Sequence, residues 1–282
     1  MRNIEGRFKG QKGLGLYYQG RLPAGDVKAV LIVVHGVAEH SGRYLRMAEY
    51  LASKGFATYG LDLRGHGKSE GKPGFVEHFS YYVDDVQAFI DLVAARHTGK
   101  KIFLFGHSMG AAISLTLLID HPQRPAGLVV SGASMKYVPH FQTPLAFLLK
   151  PFGAVAPKLG MYRMKSAALS RDRAIIESYD SDPLVYRGKL SVRLISELIW
   201  AIHKLNGLMG RVQVPVLIIH GSADRLSYPA GAQMVYDRVG SKDKTLIIYP
   251  GFYHEILNEP GFPQVLSDME HWLGRLSQSM RI

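Results

Sequence analysis

Ile102-Phe103-Leu104-Phe105-Gly106-His107-Ser108-Met109-Gly110 decides how this chain folds. The first four residues form an unbroken apolar run, which reads as a strand buried on both faces rather than on one. The next five match G-x-S-x-G, and the apolar stretch 111–119 that follows reads as a helix. A strand that turns sharply into a helix holds the serine in a strained backbone conformation. Side chains larger than hydrogen at the flanking positions would clash there, so both glycines are needed. Ser108 is therefore the candidate nucleophile.

Working outward, similar runs recur at 29–34, 56–61, 127–130, 216–219 and 245–249. Helical spacing appears between them. In 81–97, Val83, Val86, Phe89, Ile90 and Val93 share one face, and 43–54 and 262–277 read the same way. Strand–helix alternation predicts an α/β architecture, a mostly parallel central sheet flanked by helices. Segment 5–20 reads as a hairpin at an antiparallel edge. Residues 135–210 break the alternation: they carry helical patterns and five prolines (Pro139, Pro144, Pro151, Pro157, Pro183) but no clear buried strand. That is too long for a bare loop. The expected organisation is a core of residues 1–134 and 211–282 with a helical cap, 135–210, inserted over the carboxyl ends of the strands.

A serine needs a base to accept its proton. His254 follows the run 245–249, in Tyr253-His254-Glu255. A loop leaving the carboxyl end of a strand is where ligand chemistry gathers in open sheets. His220 ends a strand as well, but it precedes the candidate acid in the chain. That acid is Asp224, in Gly221-Ser222-Ala223-Asp224-Arg225, which completes the chain order serine, acid, histidine. Its rival Asp62 has the wrong order and belongs to the turn Asp62-Leu63-Arg64-Gly65-His66-Gly67. Charge developing on a substrate oxygen needs preorganised N–H donors. Met109, directly after the serine, supplies one, and Val37, in the loop after 29–34, supplies the second by its spacing.

Composition narrows the alternatives. The 282 residues are 47% hydrophobic and 20% charged, which excludes a disordered chain. Thirty glycines suit many tight turns. The absence of cysteine removes disulfides, thiolate metal sites and a cysteine nucleophile. There is no H-E-x-x-H or comparable ligand cluster, so neither a metal nor another cofactor is expected. The net charge of +11 is dispersed, without a block of five basic residues, and reads as a basic soluble surface rather than a nucleic-acid site. Met1 to Gly6 lead into no apolar run, and no stretch reaches the ~18 residues of a membrane span. A soluble cytoplasmic protein is expected.

These residues carry a resemblance. The chain resembles the α/β-hydrolase superfamily and, more narrowly, the monoacylglycerol lipase and lysophospholipase group of serine hydrolases. The narrow match rests on His35-Gly36-Val37-Ala38-Glu39-His40-Ser41-Gly42-Arg43-Tyr44, supported by 62–71, 106–110, 221–225 and 253–255. The resemblance spans roughly 14–275 and leaves the cap poorly matched. It implies the α/β-hydrolase fold, a Ser108–Asp224–His254 triad and oxyanion donors at Val37 and Met109. It also implies that Glu39, Arg43 and His107 line the alcohol-binding end of the site; read by themselves, Glu39 and Arg43 make an ion pair bracing the loop. Ala111 departs from the third glycine of many relatives, but alanine is small enough to fit.

The insert suggests the substrate. Phe141, Leu145, Phe147, Leu148, Leu149, Phe152 and Val155 make 141–155 strongly apolar, and Lys150 and Lys158 flank the patch. Residues 136–211 hold 12 Lys and Arg against 5 Asp and Glu, a net of +7. An apolar face rimmed by basic residues suits a lid that lines an acyl tunnel and touches membranes or lipid aggregates; the plain alternative is a cap whose apolar face is simply core. The expected activity is hydrolysis of lipid esters, foremost monoacylglycerol to fatty acid and glycerol. The competing readings are a lysophospholipase, a general carboxylesterase, or a catalytically silent binding protein, against which the intact Ser, Asp and His set argues.

Overall fold

A computed structural model describes residues 1–122, 125–133 and 149–278 of the chain. The chain opens with a hairpin of β1 (Arg2–Lys9) and β2 (Gly15–Leu22), then enters β3 (Ala29–Val34), α1 (Leu45–Ser53), β4 (Phe56–Leu61) and α2 (Ser80–Arg96). β5 (Ile102–His107), α3 (Met109–Asp120) and β6 (Gly127–Ser131) follow. After the insert come β9 (Val216–Gly221), α7 (Pro229–Arg238), β10 (Lys244–Tyr249) and α8 (Phe262–Gln278). These eight strands form one sheet in the order β1-β2-β4-β3-β5-β6-β9-β10. β1 and β2 are antiparallel to their neighbours, and every other pairing is parallel. The edge hairpin starts three residues earlier than its sequence suggests.

Strand side chains alternate between two cores. In β3, Val30, Ile32 and Val34 face the layer built with α2 and α3, while Ala29, Leu31 and Val33 face the layer of α1 and α8. Burial on both sides explains why the strands read as unbroken apolar runs. Each buried Leu, Ile or Val contributes roughly 1.5–3 kcal/mol. The parallel register brings the carboxyl ends level: Val34 lies opposite Gly106, His107 opposite Ser131, and Gly221 opposite Tyr249. All the loops carrying candidate site residues leave that edge.

The connection from β6 to β9 contains α4 (Leu149–Val155), β7 (Gly160–Tyr162), α5 (Arg173–Ser181), β8 (Leu190–Ser191) and α6 (Val192–Leu208). Ser191 caps α6, its hydroxyl accepting from the Leu194 N–H at 3.2 Å. Leu194, Ile195, Ile199, Ile202 and Leu205 of α6 join the main core. The expectation of no clear buried strand here needs amending, because Leu190 and Ser191 are buried and pair with β7. Strands of two and three residues are too short to show a periodicity. Outside the described residues lie Phe141, Leu145, Phe147 and Leu148. Phe152 and Val155, by contrast, are 48% and 85% exposed, with Leu159 and Met161 also exposed. Among the described residues, no helix is long and apolar enough to cross a membrane.

Candidate active site

Ser108 stands between the end of β5 and the first turn of α3, at φ 53° and ψ −114°. The positive φ is strained for a residue with a Cβ. Its flanking glycines are obligatory. A Cβ on Gly110 would lie 2.0 Å from the Val34 carbonyl oxygen, and one on Gly106 2.6 Å from the Gly110 carbonyl oxygen. The Ser108 N–H donates to the Ser131 carbonyl at 2.9 Å, which ties the elbow to β6. Ala111 is fully buried without displacing this geometry.

His254 and Asp224 meet beneath the same edge. The His254 Nδ1–H donates to Asp224 Oδ2 at 2.7 Å, which leaves Nε2 as the lone-pair nitrogen. Asp224 Oδ1 accepts from the Leu226 and Ser227 N–H groups at 2.8 and 2.9 Å. Burial alone would raise the Asp224 carboxyl. The His254 and His220 partners overcome that and hold it well below the ordinary carboxylate range. Burial likewise disfavours an imidazolium at His254, yet the Asp224 charge raises its pKa above the ordinary value. Ser108, His254, Gly36, Val37, Glu39 and His107 line one small cavity, closed from the insert by Met164, Leu169 and Tyr179.

Asp62 is engaged elsewhere. It accepts from the N–H and hydroxyl of Ser41 at 2.8 and 2.6 Å and from the Lys68 N–H at 2.8 Å, which is the work of a turn. His220 comes within 3.1 Å of Asp224.

The loop after β3 is held rigidly. The His35 Nδ1–H donates to the Gly36 carbonyl at 2.7 Å while Nε2 accepts from the Leu63 N–H at 3.0 Å, so the ring is a neutral clamp. Burial keeps its pKa well below the ordinary imidazole value. The Gly36 N–H is taken by Glu39 Oε1 at 2.6 Å, so Val37 carries the next N–H in the loop. Met109 is the first residue of α3, where helix N–H groups have no partner within the helix. Ala38, at φ 66°, turns the loop, and its carbonyl accepts from the Tyr186 N–H of the insert at 3.0 Å. The Nε2 of His40 lies 2.9 Å from Asp182 Oδ2, a second tie to the insert.

Glu39 and His107 line the cavity, whereas Arg43 lies behind it. The Arg43 guanidinium donates to Glu255 at 2.5 Å, lies 3.5 Å from Glu39 Oε2 and stacks over Tyr179. Tyr44 donates to Glu39 at 2.8 Å. Burial, then the adjacent Glu255 charge, raises the Glu39 carboxyl, and Arg43 opposes them. Burial also lowers the His107 imidazole, whose ring packs 4.7 Å from that of His254. The sequence assigns no role to Glu255, Tyr44 or Tyr179, although Tyr44 and Glu255 belong to the motifs quoted above. Only the adjacency of Glu255 to His254 offered a signal; the Arg43–Glu255 pair spans 212 residues and nothing local announces it.

Residues 25–261 match the family model Hydrolase_4, described as serine aminopeptidase, S33. The chain belongs to this family. A monoacylglycerol lipase of Mycolicibacterium smegmatis is 33% identical to this Hydrolase_4 member over 95% of the chain and 96% of its own length. The human monoglyceride lipase is 35% identical over 88% of this chain and 82% of its own. Among solved structures, the monoacylglycerol lipase of Paleococcus ferrophilus superposes with a TM-score of 0.81 at 28% identity, covering 98% of this chain and all of that one. The fold of this Hydrolase_4 chain is accordingly the α/β-hydrolase fold. Among its described residues, no group of three or more His, Asp or Glu is arranged to hold a metal.

Proposed function

We propose that Ser108, His254 and Asp224 form the catalytic triad of a monoacylglycerol lipase, with residues 135–210 as a cap over a core of 1–134 and 211–282. The chain is a lipid ester hydrolase by its family and relatives. One observation carries the assignment of the triad: the 2.7 Å His254–Asp224 bond feeds the cavity that also holds the strained Ser108.

His254 Nε2 takes the Ser108 proton as Oγ attacks the ester carbonyl carbon. The carbonyl oxygen becomes an oxyanion held by the N–H groups of Val37 and Met109. On collapse the C–O bond to the alcohol breaks, and glycerol leaves with the proton from His254. Water then gives a proton to His254 and attacks the acyl ester. The fatty acid departs, and Ser108 regains its proton. Glu39 and His107 supply polar groups at the alcohol end, with Arg43 acting through Glu39 and Glu255. The exposed apolar residues Phe152, Val155, Leu159 and Met161 support transient contact with lipid surfaces.

A kinetic screen tests this reading. Long-chain monoacylglycerol is expected to give the highest kcat/KM, followed by short esters, with lysophospholipid and aminoacyl amides far lower. A higher kcat/KM on lysophospholipid or on the amides would overturn the substrate assignment. Failure of a fluorophosphonate to label Ser108 would overturn the nucleophile.

A further inference from the structure

Asp224 Oδ2 is shared by two imidazoles. His254 Nδ1 lies 2.7 Å from it and His220 Nε2 lies 3.1 Å from it. His220 Nε2 is also 2.7 Å from the Ser227 carbonyl oxygen. A carbonyl can only accept, so Nε2 must carry the hydrogen. That hydrogen is aimed at both the Ser227 carbonyl and the Asp224 carboxylate. The opposite nitrogen, His220 Nδ1, is buried and has no hydrogen-bond partner. The Nε2 side is therefore the one through which His220 acts on its surroundings.

The position is set by the strand end. His220 is the penultimate residue of β9 and sits opposite Ile248 of β10. A Cβ on Gly221 would come within 2.3 Å of the Phe252 and Tyr253 carbonyl oxygens, so the turn after β9 lies against the segment that leads into His254. Two backbone N–H groups grip Oδ1 of Asp224, and two imidazoles approach Oδ2.

We propose that His220 is a positioning residue for the triad acid, fixing the rotation of the Asp224 carboxylate so that Oδ2 stays on His254 Nδ1. This rests on the triad proposed above. A single N–H on Oδ2 is enough for this role. It satisfies part of the carboxylate without cancelling the negative charge that an imidazolium at His254 requires. The charged and titratable groups facing His254 are Asp224, His107 from β5, Glu39 from the loop after β3, and its neighbour Glu255. His220 itself faces Asp224 and, more remotely, His107.

Three variants separate positioning from packing. His220→Leu keeps apolar volume and removes the donor. It is expected to lower kcat about 10- to 100-fold on a soluble short ester with KM little changed. The acid limb of kcat/KM should move to higher pH, because an undonated carboxylate places more negative potential on His254. His220→Gln can extend an amide N–H to the place of Nε2 and should recover most of the loss. His220→Asn puts its amide at the place of Nδ1, which faces no partner, and should not recover it. Fluorophosphonate titration counts the folded sites in each sample.

The proposal is overturned if His220→Leu keeps full kcat and an unmoved acid limb, or if Gln and Asn lose activity equally. Should His220→Leu fail to fold, the Gln–Asn comparison decides by the same criterion. Asp224→Asn in the same assay keeps the two readings apart. A loss of about 10⁴ there with none in the His220 variants removes only the positioning role. No loss at Asp224→Asn removes the triad and the positioning role together.

Discussion

Removing one oxygen from Ser108 leaves the elbow's positive φ in place, since alanine keeps the Cβ. Ser108→Ala should therefore lower kcat by about 10⁶ with an unchanged thermal melt, the residue left over coming from the oxyanion donors and binding. Retained ester hydrolysis in a sample free of wild-type enzyme would contradict the proposed mechanism. The two aspartates divide just as cleanly. Asp224→Asn leaves His254 with the wrong tautomer and should cost about 10⁴ in kcat. Asp62→Asn turns one of the two accepting oxygens into an NH2 donor, so either the Ser41 bonds or the Lys68 bond is lost and a donor faces a donor. It should cost about 1–3 kcal/mol of stability, read as a lower Tm, with kcat retained. Loss of turnover in a well-folded Asp62 variant would show the acid to be misassigned. At this scale the sequence was informative wherever a residue type is dictated by geometry. Gly106 and Gly110 are legible because no other residue fits beside Ser108. The link from His220 to Asp224 was not, because it depends on how the chain bends after β9.

At the scale of elements, strands buried on both faces announce themselves as apolar runs, and β3, β4, β5, β6 and β9 were readable for that reason. β7 and β8 are not legible in the sequence because two or three residues carry no pattern. α4 gives the insert its testable surface. Val155 is 85% exposed, so an aspartate there meets water rather than a packed core. Val155→Asp should weaken binding to anionic vesicles and slow the hydrolysis of long-chain monoacylglycerol in them, while acetate ester turnover and Tm stay level. The Lys and Arg excess around α4 should make the wild-type binding fall as salt rises. Vesicle binding indifferent to salt, lipid charge and this substitution would remove the lipid-surface role of the insert.

For the whole molecule, buried histidines set the response to acid. His35, His66 and His107 all have pKa values lowered, chiefly by burial. Below the ordinary imidazole value near 6.5, the unfolded chain takes up protons at these positions and the folded one does not, so stability falls as pH drops. His254, with its raised pKa, works in the opposite sense: its contribution is complete below 6.5 and fades as pH rises. With half-buried His97, also lowered, four of the described histidines stand against one, which leaves a net loss of about 1 kcal/mol per pH unit for each uncompensated histidine. Melts at pH 7.5, 6.5 and 5.5 should show a Tm that falls by several degrees; a flat or rising Tm would contradict this balance. The pairing of β6 with β9, across the entire insert, has a consequence for biosynthesis. Chains emerge amino end first. The strand 127–131, apolar on both faces, is therefore made long before its neighbour and waits as an open sheet edge. Until β9 arrives the nascent chain carries this apolar edge uncovered, so chaperone demand and aggregation should peak while the insert is still being translated.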